Sequence, residues 1–152
     1  MRIVGGQNKG KRLQLPDDKR IRPTADRTRE ALFNILAHSS DYRTSNGPAP
    51  IGMKVLDVFA GTGALGIEAL SRGATHATFM DNHPDSLKLI KSNVALIGAQ
   101  QKASILNRSA ISPGMAAAPV DLILMDPPYQ QDLAAPTCRH CSKMAGFQIT
   151  PS

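Results

Sequence analysis

The chain predicts an α/β fold: a doubly wound, Rossmann-like parallel sheet with helices on both faces. Three observations carry that prediction. From residue 54 onward short apolar runs alternate with amphipathic stretches, a glycine-rich turn joins the first run to the first stretch, and three of the apolar runs reach an aspartate at or near their carboxyl ends. Alternation of this kind is the signature of βαβ units, in which each helix returns the chain to the same edge of the sheet and makes successive strands parallel.

Each element has a local cause. Residues 2–15, RIVGGQNKGKRLQL, set two β-rich stretches around Gly and polar residues and predict a hairpin with a basic tip. In IRPTADRTREALFNILAHS, Pro23 and Thr24 are helix-start signals, with Thr24 suited to the cap, and Ala31, Leu32, Ile35 and Leu36 recur at helical spacing. Arg22, Arg27 and Arg29 surround that start, where cations oppose the helix dipole, so an anionic ligand is expected nearby. Residues 39–52 are a polar Pro/Gly linker. KVLDVF, HATFMD, KASILN and VDLILMD then predict four strands. ALGIEALSRG and PDSLKLIKSNVALIG predict two helices, ended by Gly73 and Gly98. The expected organisation is a basic hairpin and helix extension over 1–50, a cofactor-binding core over 51–130 and an atypical tail over 131–152.

Composition narrows the classes. The 152 residues suit about one domain, and no apolar run approaches the ~20 residues of a membrane span. The amino terminus lacks the apolar core of a signal peptide, so the cytoplasm is expected. Residues 1–30 hold nine Lys/Arg against four Asp/Glu, which places +5 of the net +6 in the first fifth of the chain. Such an arm suits a polyanion, because basic side chains neutralise phosphates and release counterions. Cys138 and Cys141 form a lone CRHC without a second ligand pair, so no metal site is expected.

The chemistry concentrates at strand ends. GTGALG, residues 61–66, follows a strand and opens a helix, and Asp81 lies twenty residues beyond Gly61. Gly61 and Gly63 permit a tight turn and close approach of backbone to a ligand, and Asp81 can accept both hydroxyls of a ribose. Asp57 discriminates between cofactors: a carboxylate here would repel a dinucleotide pyrophosphate but suits the ammonium or sulfonium of S-adenosylmethionine. In VDLILMDPPY the strand stops at Asp126 because Pro127 and Pro128 cannot continue a ladder. Asp126 and the Pro127 carbonyl are then rigid acceptors that can grip the N–H groups of an exocyclic amine and aim its lone pair at a methyl group. Tyr129 offers a face for stacking a flipped-out base.

RIVGG, RPTADRTREALFN, LDVFAGTGALGIEALSRGA and DPPY, in this order over residues 2–129, resemble the RsmD family of class I S-adenosylmethionine-dependent methyltransferases, which act on the exocyclic N2 of a guanine in bacterial 16S ribosomal RNA. The resemblance implies that Asp57, Phe59, Gly61 and Gly63 hold the methionine part of the donor and Asp81 its ribose, with Ser109 near the adenine. It also implies that Asp126, Pro127, Pro128 and Tyr129 grip the guanine, that Arg22, Thr24 and Arg27 steer RNA phosphate or order the donor, and that Lys11 and Arg12 meet RNA. Partners implied are ribosomal RNA or the small subunit, with the protein a monomer. After DPPY, CRHCSKMAGFQITPS resembles nothing in the family, so the core is expected to be truncated at its carboxyl end, with VDLILM left as an uncovered sheet edge. The alternatives are DNA adenine-N6 methylation, a non-catalytic nucleic-acid-binding remnant, and a nicotinamide-dependent oxidoreductase, which Asp57 disfavours.

Overall fold

The computed structural model describes residues 1–17, 25–109 and 119–126. Four strands, β1 (Lys54–Val58), β2 (His76–Asp81), β3 (Ala103–Asn107) and β4 (Leu122–Met125), form one sheet in the order β3-β2-β1-β4. All neighbours are parallel. The chain builds outward from β1 to β2 and β3, then crosses back to place β4 on the other side of β1. The strand order therefore reverses beside β1, which is where open α/β sheets bind ligands.

Three helices accompany the sheet: α1 (Asp26–His38), α2 (Ala64–Ser71) and α3 (Pro84–Leu96). Their starts follow local chemistry. Gly63, in left-handed conformation at φ 81°, precedes α2. The His83 side chain accepts from the Asp85 N–H, and Pro84 occupies the first turn of α3. The helix expected around Pro23 and Thr24 begins at Asp26 with Ala25 at the cap; Arg22 and Thr24 lie outside the described residues.

Two buried clusters join the helices to one face of the sheet. Phe33 and Leu36 of α1 meet Val55, Leu122 and Leu124, while Ile67 of α2 and Ile90 and Val94 of α3 meet Ala77 and Phe79. A third cluster, Leu56, Val58, Met80, Ile123 and Met125, draws on no described helix. As expected, β4 is an edge strand of the described sheet, paired only with β1, but its side chains are not left uncovered: Leu122, Ile123 and Leu124 are fully buried and Met125 nearly so. Among the described residues, no helix is long and apolar enough to cross a membrane.

The amino-terminal hairpin forms as expected, with Ile3 N–H on the Lys11 carbonyl and Leu13 N–H on the Met1 carbonyl. Ile3 and Leu13 are buried against α2 and α3, which makes the hairpin part of the core. What fixes it is an ionic hub. Arg29 and Glu68, each fully buried, pair at 3.2 Å. Glu68 also accepts from Val4 N–H at 3.0 Å, Gly5 N–H at 2.9 Å and Arg72 Nε at 3.0 Å. Arg29 donates to the Arg2 carbonyl at 2.9 Å and pairs with Asp26. Arg29 thus departs from the sequence reading, because protein carboxylates, not a bound anion, neutralise it.

Two measurements test this packing. Glu68→Ala leaves the buried Arg29 guanidinium without its fully buried carboxylate partner, and chemical denaturation is expected to show a loss of about 3–5 kcal/mol. A Cβ at Gly66 would lie 2.4 Å from the ring of the fully buried Phe79, so Gly66→Ala is expected to cost about 1–3 kcal/mol by the same measurement.

Candidate active site at the carboxyl edge of the sheet

The register brings the predicted acids together. Val58 lies opposite Met80 on one side and Met125 on the other, so the next residues, Phe59, Asp81 and Asp126, come abreast at the carboxyl edge. Asp57 lies one residue inside β1 and is 1% exposed. The three carboxylates are close enough for Asp81 and Asp126 to raise the proton affinity of Asp57.

Each acid also organises backbone. Asp57 accepts from Gly66 N–H at 3.0 Å, tying β1 to the first turn of α2. Asp81 accepts from Gly61 N–H at 2.9 Å and from His83 N–H at 2.9 Å, so it holds the glycine loop and the entrance to α3 at once. The loop is further closed by Gly63 N–H on the Ala60 carbonyl at 2.7 Å, and Ala60 N–H on the Met80 carbonyl ties it to β2. Gly61 and Gly63 adopt φ 59° and 81°, which confirms the turn expected of them. Phe59 is the one described non-glycine residue with positive φ, 58°. An aromatic residue in this region is strained, and such strain concentrates at ligand-binding turns.

Asp57 carries the electrostatic signature. Burial pushes its carboxyl well above the ordinary range, and the Asp81 and Asp126 charges push it further, while the Gly66 hydrogen bond opposes them. Among the described residues no cluster of His, Cys, Asp or Glu could hold a metal ion. What the edge offers is a group of three carboxyls beside glycine backbone, suited to a ligand with a cationic centre and a diol.

The other predicted residues divide. Ser109 is half-buried two residues past β3, beside Arg108, whose N–H bonds the Asp81 carbonyl at 3.2 Å. That placement is at the same edge. Pro127, Pro128 and Tyr129 lie outside the described residues. Arg27 and Arg12 are exposed, Arg27 in the first turn of α1 and Arg12 paired across the hairpin with Arg2, whose N–H reaches Asp26. Lys11 is also exposed, beside a turn that Gln7 and Asn8 bond to Ser71, at the far end of α2 from Gly63. Eight residues of helix, about 12 Å, separate that turn from the glycine loop.

Sequence reasoning missed Asn93 and Gly66. Asn93 is fully buried and donates to the Thr62 carbonyl of the glycine loop at 2.9 Å. Gly66 lets α2 approach Phe79; its place as the last glycine of GTGALG was the available signal.

The raised proton affinity of Asp57 has a signed consequence. The folded state holds the proton to higher pH than the unfolded chain. The stability Asp57 contributes is therefore greatest in acid and declines as pH rises from the ordinary aspartate value toward the raised one. Subtracting the melting profile of Asp57→Asn, which cannot ionise, from that of the native chain is expected to isolate that decline.

Known proteins share this architecture. The family model described as Conserved hypothetical protein 95 matches residues 1–146, beyond the segment 2–129 in which the sequence motifs lie. Ribosomal RNA small subunit methyltransferase D of Escherichia coli (strain K12) is 40% identical over 139 residues, 90% of this chain and 64% of the relative. YlbH of Bacillus subtilis (strain 168) is 35% identical over 135 residues, 86% of this chain and 68% of the relative. The solved structure of yhhF from E. coli superposes with a TM-score of 0.77 at 35% identity, covering 97% of this chain and 75% of that one. The chain thus spans just under two thirds of the E. coli methyltransferase it matches. The glycine loop, the strand order and these matches agree: the chain has the class I methyltransferase fold and belongs to the RsmD family, whose model is described as Conserved hypothetical protein 95.

Proposed function

We propose that this chain carries the donor site and part of the catalytic edge of an S-adenosylmethionine-dependent methyltransferase acting on the exocyclic N2 of a guanine in small-subunit ribosomal RNA. The observation that carries the reading is the convergence of Asp57, Asp81 and Asp126 on one sheet edge, at the strand-order reversal, around a glycine loop. Kinship with a ribosomal RNA small subunit methyltransferase supports the substrate class.

The residues fit such a donor. Asp57, ionised by the ligand, offsets its ammonium or sulfonium charge; Asp81 accepts from the ribose hydroxyls; Gly61 and Gly63 allow close approach, with Phe59 in the turn beside them and Ser109 toward the adenine. When bound, the donor supplies an electrophilic methyl group. Asp126 and the Pro127 carbonyl accept from the two N–H groups of the guanine amine, drawing its nitrogen lone pair out of ring conjugation and into line with that methyl. Transfer of that methyl from the donor's sulfur to the nitrogen would make the nitrogen acidic, and Asp126 or solvent would take the one N–H proton it gives up. Pro128 stiffens the acceptor turn and Tyr129 stacks on the flipped base. Exposed Arg12 and Arg27, with Arg22, Thr24 and Lys11, meet RNA phosphate. The expected setting is the cytoplasm, where ribosomal subunits are assembled.

An oxidoreductase reading would need a dinucleotide pyrophosphate at the glycine loop beside Asp57, and like charges oppose it.

Calorimetric titration with S-adenosylmethionine and separately with NAD tests the reading. Binding of the methyl donor alone is expected, its affinity rising with pH as Asp57 ionises more readily and a proton being released on binding. Asp57→Ala should abolish that binding. Asp126→Ala should retain it while labelled methyl transfer to small ribosomal subunits falls by about 10²–10³-fold. NAD binding at the same site would overturn the assignment.

A further inference from the structure

At the amino edge of the sheet, the edge opposite the three aspartates, the hairpin turn, the carboxyl ends of α2 and α3 and the approach to β3 enclose a cleft of about 280 Å³. Its floor is apolar, formed by Leu70, Ile97 and Ala99, each half-buried. Its rim is polar: Gln7 and Asn8 come from the turn, Gln101 and Lys102 from the residues before β3. Both walls are held by backbone. Gln7 N–H bonds the Ser71 carbonyl at 2.7 Å and Asn8 N–H the Ser71 hydroxyl at 2.9 Å, while Gly98 N–H bonds the Ala95 carbonyl at 3.0 Å and Ala99 N–H the Val94 carbonyl at 3.1 Å.

The lining selects the ligand. Among the described residues that line the cleft there is no Asp or Glu, Lys102 stands on the rim, and Lys9 and Lys11 are exposed on the same turn as Asn8. A cationic ligand would meet Lys102 and find no carboxylate, whereas an anion is favoured. Three side-chain amides each donate and accept, which matches the mixed hydrogen-bonding edge of a nucleobase, and the apolar floor suits its face. The volume lies at the small end for ligand sites and fits one base.

We propose that this cleft holds one unpaired nucleotide of the RNA substrate, its base on Leu70, Ile97 and Ala99, its edge on the rim amides and its phosphate on Lys102. The inference rests on the RNA reading above and adds a second contact to it. The five residues of β3 span about 16 Å, so the nucleotide held here is not the one methylated. It gives the exposed lysines of the hairpin turn, which lie away from the glycine loop, a part in RNA binding.

The test is binding of a short mixed-sequence single-stranded RNA carrying photoreactive thiouridine to the full chain, across a range of salt. Three variants each lower the net charge by one: Gln101→Glu and Lys102→Gln on the rim, and Lys91→Gln on α3 outside the cleft. All three side chains are exposed, so native melting and native donor affinity are expected. The rim variants should weaken RNA binding about tenfold, Lys102→Gln should also reduce the salt slope by about one, and Lys91→Gln should do neither. Irradiation should join the RNA to residues 97–102 or to the turn at Gln7 and Asn8. Equal weakening by all three variants, or cross-links that avoid both segments, overturns the cleft as a nucleotide site and leaves the RNA reading in place. Guanosine monophosphate that displaces the strand as effectively as unlabelled RNA would assign the cleft to a free nucleotide and overturn the proposal equally. A native chain that binds no RNA sinks the RNA reading and this inference with it.

Discussion

The fold depends most on one buried ion pair. Arg29 and Glu68 stand 39 residues apart in sequence, both without solvent access, and between them they engage α1, α2 and both residues of the Val4–Gly5 turn-in. Desolvating two charges is expensive, and the expense is offset only because nearly every remaining donor and acceptor finds a partner: Arg72, Asp26, the Arg2 carbonyl and two backbone N–H groups. Arg72 in turn lies over the Phe33 ring, 5.1 Å from its centre, so the ionic hub grades directly into the apolar cluster beneath it. An apolar pair in the same space would supply comparable burial but would leave the hairpin N–H groups without acceptors.

The hub also orders what lies above it. α2 is only eight residues long, held at its start by Asp57 through Gly66 and toward its end by Glu68 and Ser71. A short helix clamped at both ends behaves as a rigid spacer between the glycine loop and the amino-terminal hairpin. The loop inherits that rigidity, with Asp81 and Asn93 fixing its peptides from β2 and α3. Preorganised backbone of this kind needs little reorganisation when a ligand arrives. Among the described residues, positive φ outside glycine is confined to Phe59, where a glycine would have been the relaxed choice.

Much of this was legible before any coordinates. HATFMD matches β2 residue for residue, and the remaining core elements differ from the sequence reading by one to two residues at their ends, because apolar periodicity and the Gly and Pro stop signals act locally. The acids at the strand ends were legible for the same reason: a carboxylate ending an apolar strand is visible in one dimension. Arg29 was not. Read along the chain it is another cation at a helix start, and Glu68 is one charge in an apolar helix with Arg72 one turn away. Only packing of α1 on α2 takes both out of water and makes each the other's counterion.

The amino-acid sequence alone determined the element order, the glycine loop, the aspartates at the strand ends and the kinship those motifs carry, since each rests on chemistry within about twenty residues. Tertiary structure decided what distance along the chain conceals: that β4 lies beside β1, which sets Asp126 abreast of Asp81; that burial among neighbouring carboxylates raises the proton affinity of Asp57; and that Asn93 joins the hairpin to the loop. These outcomes turn on desolvation and on the pairing of groups brought together from afar, and neither quantity exists until the chain has closed on itself.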